Sequence, residues 1–262
     1  MVPRGLTDKA EQAIEPFKDC VTPISAVNEK GEAQLLGSAV LIEIADDRFL
    51  CTAKHVIDDN KDTTLYLDGP VKFEILRGDF YASQEHDIAV LRLTSSQNET
   101  LKKYKPLSVN DIANQSQAAA CRYAEFVGFP ETKNRKVYKQ NRIAGERYAI
   151  GNKILEVTDE RVRVSFNKKV IDAVTRKSAI SPDPPGMSGG AIFGIDKAST
   201  IKVNFRARLI GIGTDWLRSS REIFGPNIAI GLAIVREAWQ ITLPPCLNPV
   251  RTFGVIRPLA RK

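Results

Sequence analysis

Apolar residues recur along this chain in short runs cut by turn-forming clusters, and almost nowhere at helical spacing. The first run is Val21–Val27, closed by Asn28-Glu29-Lys30-Gly31. Residues 37–44 form a second run, and residues 48–53 a third after only Asp46-Asp47, so this pair predicts a hairpin. Lys54-His55-Val56-Ile57 continues straight out of the third run. Residues 63–67 and 71–76 flank Asp68-Gly69-Pro70 as a second hairpin, and residues 86–93 predict a strongly apolar strand. From Thr94 to Ala120 the chain is polar and no strand period survives. The rhythm then returns. Strands are expected over 121–129, over 147–150 and 153–157 on either side of Gly151-Asn152, and over 161–166, where alternation is clean. Further strands are expected at 191–193, 207–214 and 227–235. Short helices are expected only near residues 9–17 and 236–242.

Many short strands with turn signals between them predict an all-β barrel or sandwich in two halves of similar size. The expected division is an N-terminal arm (1–20), a first β unit (21–107), a linker (108–120), a second β unit (121–240) and a C-terminal tail (241–262).

Composition narrows the function classes. Hydrophobic residues at 43% and charged residues at 26% are ordinary for a globular protein, and 262 residues can bury a sizeable core. The start of the chain lacks a basic-then-apolar leader, and no apolar run approaches a membrane span; a soluble, cytoplasmic protein is expected, with no membrane partner. Cys20, Cys51, Cys121 and Cys246 are scattered without ligand spacing, so neither a metal site nor any other cofactor is expected, and free thiols are. Cys51 and Cys121 lie in apolar runs and read as core residues. The net charge of +7 is spread out with few aromatics interleaved, which describes solvated surface and ranks nucleic acid last among partners.

One stretch stands apart from packing logic: Pro185-Gly186-Met187-Ser188-Gly189-Gly190. Glycine costs backbone entropy and offers nothing to pack, so three around one serine imply conformations other residues cannot take. Such a turn can present a hydroxyl while aiming N–H groups at one point, as an acyl-transfer nucleophile and its oxyanion hole require. An incidental serine in a Gly-rich turn is the plain alternative. A serine nucleophile needs a base, and the chain has only His55 and His86, both before Ser188. The nucleophile elbow of α/β-hydrolases needs a histidine after the serine, and none follows. An Asp-His-Ser order would need His86 at the mouth of a strand, in the wrong fold pattern. The order His55, Asp87, Ser188 is left.

Thr52-Ala53-Lys54-His55-Val56, Asp87-Ile88-Ala89-Val90-Leu91 and Gly186-Met187-Ser188-Gly189-Gly190, in that order, resemble the trypsin-like (chymotrypsin-fold) serine peptidases. The resemblance covers roughly residues 21–240. It implies two six-stranded antiparallel β-barrels with the site between them; the missing leader, free cysteines and compact chain then suggest a bacterial, intracellular member of the family. His55 and Asp87 would come from the first barrel and Ser188 from the second, with Ser188 as nucleophile, His55 as base and Asp87 as its orienter. The N–H groups of Gly186 and Ser188 would form the oxyanion hole. Ile210, Gly211, Ile212 and Gly213 would lie on the strand that pairs with a polypeptide substrate, the glycines leaving room for it, and Ile230 would wall the side-chain pocket.

The departures matter as well. Met187 stands where many secreted members carry an aspartate that receives a newly freed N-terminus, so activation by that route is not expected. Regulation by a protein partner or by loop ordering is expected instead, with residues 133–141 and 170–185 as switch loops. A small or apolar preference at the first substrate position is favoured. A non-catalytic peptide-binding module on the same fold stays open as the alternative.

Overall fold

The computed structural model describes residues 12–30, 32–68, 73–134, 145–171, 178–198, 204–249 and 257–259. Of the sequence-predicted switch loops, residues 135–141 and 172–177 lie outside them. The first half contributes β1 (Val21–Val27), β2 (Ala33–Ile44), β3 (Asp47–Thr52), helix α1 (Lys54–Asp58), β4 (Leu65–Asp68), β5 (Phe73–Ile75), β6 (Phe80–Ala82) and β7 (Ala89–Arg92). Helices α2 (Ser95–Thr100) and α3 (Gln115–Ala120) follow. The second half contributes β8 (Tyr123–Gly128), β9 (Tyr148–Val157), β10 (Arg161–Ser165), β11 (Lys169–Ile171), β12 (Ser178–Ile180), β13 (Gly190–Ala198), β14 (Asn204–Gly213), β15 (Asp215–Leu217) and β16 (Glu222–Pro226). Helix α4 (Ile228–Trp239) and strand β17 (Arg257–Leu259) close the chain.

The strands form two antiparallel sheets, the chymotrypsin-like double-barrel architecture. The first runs β17-β6-β7-β3-β2-β1-β4-β5 and the second β14-β13-β8-β9-β10-β16-β15, with β11 and β12 as a separate hairpin. The sheets therefore hold eight and seven strands where six each were expected. The two extra strands of the first sheet are β6 and β17, which pair with each other although β17 lies in the expected tail.

Hydrophobic burial explains the arrangement. Leu41, Leu50, Leu65 and Phe80 fill the first half, while Phe126, Ile150, Val162 and Ile192 fill the second. A third cluster, with Phe49, Val90, Phe193 and Ile230, joins the two. The β2–β3 hairpin turns through Ala45 (φ 52°) and Asp46 (φ 68°), the paired left-handed residues that a two-residue hairpin demands.

Three expectations need correction. Residues 227–235 are helix, not strand: the apolar run is buried all round, which erases the helical period. The overlooked signal is Asn227, whose side chain accepts the Ala229 N–H at 3.0 Å as an N-cap. Gly151-Asn152 is not a turn but the middle of β9, where Gly151 pairs with Glu125. The polar connection holds two short helices, each opened by a capping box, Thr94 with Gln97 and Asn114 with Gln117. The α4 helix leaves the second sheet and packs on the first, with Trp239 5.2 Å from Phe49 and 5.0 Å from Tyr81 between ring centres.

Candidate active site

Sheet register brings two of the singled-out residues together. Thr52 of β3 pairs with Ala89 of β7, so the residues just after β3 and just before β7 emerge at one end of the sheet. His55 lies in α1, a single helical turn and not a continuation of β3. Ala53, at the N-cap of that turn, has no side chain to satisfy its first N–H groups. Asp87 does so: its Oδ1 accepts the His55 N–H at 2.9 Å, while its Oδ2 lies 2.7 Å from His55 Nδ1. Asp87 is itself held by a tight turn in which Ser83 Oγ accepts the N–H groups of Glu85 and His86. His86 thus belongs to the turn that presents Asp87.

The electrostatics follow from this pair. The hydrogen bond to Asp87 raises the His55 pKa above its ordinary value of 6.5; burial opposes it, and the charges of Asp87, Asp215 and Asp59 add to it. Burial pushes the Asp87 carboxyl up, but its bonds to His55 and to backbone N–H groups prevail and hold it below 3.8.

The second sheet delivers Ser188 in the same manner. Gly190, the first residue of β13, pairs with Gly213, the last of β14, which sets Ser188 beside Thr214. Ser188 Oγ donates to the Thr214 carbonyl at 3.1 Å. Gly186 and Gly189 have φ of +87° and +88°, in the region that favours glycine. A Cβ on Gly189 would stand 2.0 Å from the Ser38 carbonyl oxygen and 2.3 Å from Thr52 Oγ1. The N–H groups of Gly186 and Ser188 have no acceptor among the described residues. Pro185 O is taken by the Glu131 N–H and Met187 O by the Gly190 N–H, both at 2.8 Å. Met187 is fully buried in the second-half core.

His55, Asp87 and Ser188 line one cleft of about 440 Å³ together with Pro184, Gly213, Thr214, Asp215 and Trp216. Of the residues expected to meet substrate, only Gly213 lies there. Ile210, Ile212 and Ile230 are fully buried, the last on α4. The room expected beside the glycines is filled: a Cβ on Gly211 would meet Pro226 O at 2.9 Å, and one on Gly213 the Phe126 ring at 2.3 Å. The exposed edge beside Ser188 is β15, whose Trp216 packs edge-on to Phe166 at 5.4 Å. The Asp215–Leu217 strand leaves no signal in the sequence, because three residues are too few to show a period. The cysteines are free, as expected, and Cys20, Cys51 and Cys121 are buried, the Cys51 thiol being pushed up to about 12 by burial. Among the described residues no helix is long and apolar enough to cross a membrane, and no acidic, histidine or cysteine cluster could hold a metal.

Known structures share this fold at low identity. The HtrA-type protease AlgW, solved with a tripeptide, is 16% identical, with a TM-score of 0.50 over 87% of this chain and 64% of its own. Tobacco vein mottling virus protease is 10% identical, with a TM-score of 0.46 over 82% of this chain and 79% of its own. No curated protein sequence matches the chain. The model of the trypsin-like peptidase domain matches residues 37–198, a span that contains His55, Asp87 and Ser188. A match over more than half the chain, on a double-barrel fold, makes this protein a member of the trypsin-like peptidase domain family.

Proposed function

We propose that the chain is a serine endopeptidase acting through His55, Asp87 and Ser188. The observation that carries this reading is the convergence of the Asp87–His55 pair and Ser188 in one cleft, on a loop where the Gly186 and Ser188 N–H groups have no acceptor among the described residues. Ser188 Oγ attacks the scissile carbonyl carbon while His55 takes its proton. Asp87 fixes the imidazole so that Nδ1 carries a proton and the other nitrogen faces the serine, and it stabilises the cation formed. The N–H groups of Gly186 and Ser188 receive the oxyanion. The C–N bond then breaks, His55 passes its proton to the leaving amine, and water, deprotonated by the same imidazole, releases the acid from Ser188.

One observation favours a latent form or a peptide-binding module as the second reading: the Ser188 proton is directed at Thr214 O and not at the imidazole. Catalysis requires that hydroxyl to turn toward the imidazole, a step that substrate or a regulatory partner would drive.

The test is labelling by a fluorophosphonate, with peptide hydrolysis assayed in parallel. Wild type should label and hydrolyse, while Ser188→Ala and His55→Ala should do neither. A folded wild type that stays unlabelled, alone and with candidate partners, would overturn the enzymatic reading in favour of the binding module.

A further inference from the structure

We propose that Ser38 is a positioning residue, a latch in the first sheet that holds the oxyanion loop of the second half in its working form without an activating cleavage. The proposal rests on the peptidase reading above. Ser38 is fully buried on β2, and each of its polar atoms is engaged. Its N–H donates to Ser188 O at 2.7 Å, and its Oγ donates to Gly186 O at 3.1 Å. The same Oγ accepts the Phe129 N–H at 2.9 Å, and Ser38 O accepts the Thr52 hydroxyl at 2.7 Å. One residue therefore ties the first sheet to the end of β8 and to Gly186 through its side chain, and to Ser188 through its main-chain N–H.

The loop's handedness follows from peptide planarity. A trans peptide directs its C=O and N–H in opposite senses. Pro185 O is fixed on the Glu131 N–H, so the Gly186 N–H points the other way. Met187 O is fixed on the Gly190 N–H, so the Ser188 N–H is directed likewise. The peptide between these two joins Gly186 to Met187. Its carbonyl is held by Ser38 Oγ and its N–H by Pro184 O at 2.8 Å. Turning the loop inside out would strip Ser38 Oγ of its acceptor and leave buried groups unpaired, which a buried site resists. Met187 supplies the rest of the hold by packing alone: a Cβ on Gly128 would stand 2.9 Å from Met187 Cβ. Met187 carries no charge with which to receive a freed chain end.

The experiment compares wild type with Ser38→Ala and with Ser38→Thr, which keeps the hydroxyl. Ser38→Ala should lower kcat by about 10- to 100-fold, because the donors of the hole lose their alignment. Its KM should stay within about threefold, and a peptidyl aldehyde, whose bound form places an oxyanion in the hole, should weaken in parallel with kcat. The acid limb of the pH profile should not move, since the His55–Asp87 pair is untouched. Ser38→Thr should recover part of the loss. An unchanged kcat in folded Ser38→Ala would overturn the proposal, as would a loss confined to KM.

Should both variants fail to fold, the wild type decides. Intact-mass analysis should find the fluorophosphonate on the uncleaved chain, and label found only on cleaved chains would overturn the latch. Hydrogen exchange separates the two ideas. Slow exchange at the Met187 and Gly190 amides in a wild type that hydrolyses nothing would sink the peptidase reading and uphold the latch; fast exchange there would sink the latch.

Discussion

Ser188 gives its hydroxyl proton to the main-chain carbonyl of Thr214, at 3.1 Å, while His55 stands in the same cleft holding Asp87. The acceptor is backbone, so no side chain replaced at Thr214 removes it. Deleting the hydroxyl is the clean perturbation. Ser188→Ala should abolish hydrolysis, yet cost about 1 kcal/mol or less in urea unfolding, since only one half-buried hydrogen bond is lost. A large loss of stability would mean that the serine is structural.

Activity should carry an acid limb set by His55. The imidazole must be neutral to accept the serine proton, and the Asp87 bond raises its pKa, so the midpoint of kcat/KM against pH should lie above 6.5. Asp215 adds to that rise, so Asp215→Asn should shift the limb downward and leave substantial activity. Asp87→Asn removes the main cause and should cost about 10³- to 10⁴-fold in kcat. A limb unmoved in Asp215→Asn would show that the carboxylate does not act on the imidazole.

The same pair makes the pH of greatest stability differ from that of greatest activity. His55 has a raised folded pKa, so its contribution is complete below its unfolded value of 6.5 and fades as pH climbs through the folded value. Asp87 has a lowered folded pKa, so its contribution is complete above its unfolded value of 3.8 and fades as pH drops through the folded value. Both act fully between about 3.8 and 6.5, where the imidazole is charged and hydrolysis is suppressed. In Asp87→Asn, the loss in denaturant midpoint should be larger at pH 5.5 than at pH 9. Equal losses would contradict the assigned shifts.

The serine loop should tolerate shape-preserving change and little else. Gly189→Ala adds a methyl 2.0 Å from Ser38 O at a φ of +88°, and should cost roughly 3 kcal/mol or more. Met187→Asp buries an unpaired charge and should cost about 3–5 kcal/mol, whereas Met187→Leu should cost less than about 1.5 kcal/mol. Thermal melting of the three variants gives the order. A well-folded Met187→Asp would mean that a cation reaches this position.

The legible parts of the molecule were those written in local pattern. The 37–53 hairpin, the clean alternation of 161–165 and the order of His55, Asp87 and Ser188 all rest on nearest-neighbour chemistry. What the pattern missed depends on distant partners. The 228–235 stretch is helical because a cap and packing from both sheets override a run that looks like a strand. The cleft edge fell on β15 and not on the 209–213 run, because Val162, Pro226 and Phe126 occupy the space beside those glycines. The Ser38 contacts bridge residues 148 and 91 positions apart, beyond the reach of any window.

The pairing of β17 with β6 gives the molecule a clock. Polypeptides leave the ribosome from the N-terminal end, and N-terminal elements generally fold first. Residues 80–82 are therefore made long before residues 257–259 arrive to cover them. Until then β6, the strand leading into the Asp87 turn, is an open edge, a template for any passing strand. The nascent chain leaves its first sheet incomplete until then, and the segment presenting Asp87 is sealed only once residues 257–259 have emerged and paired.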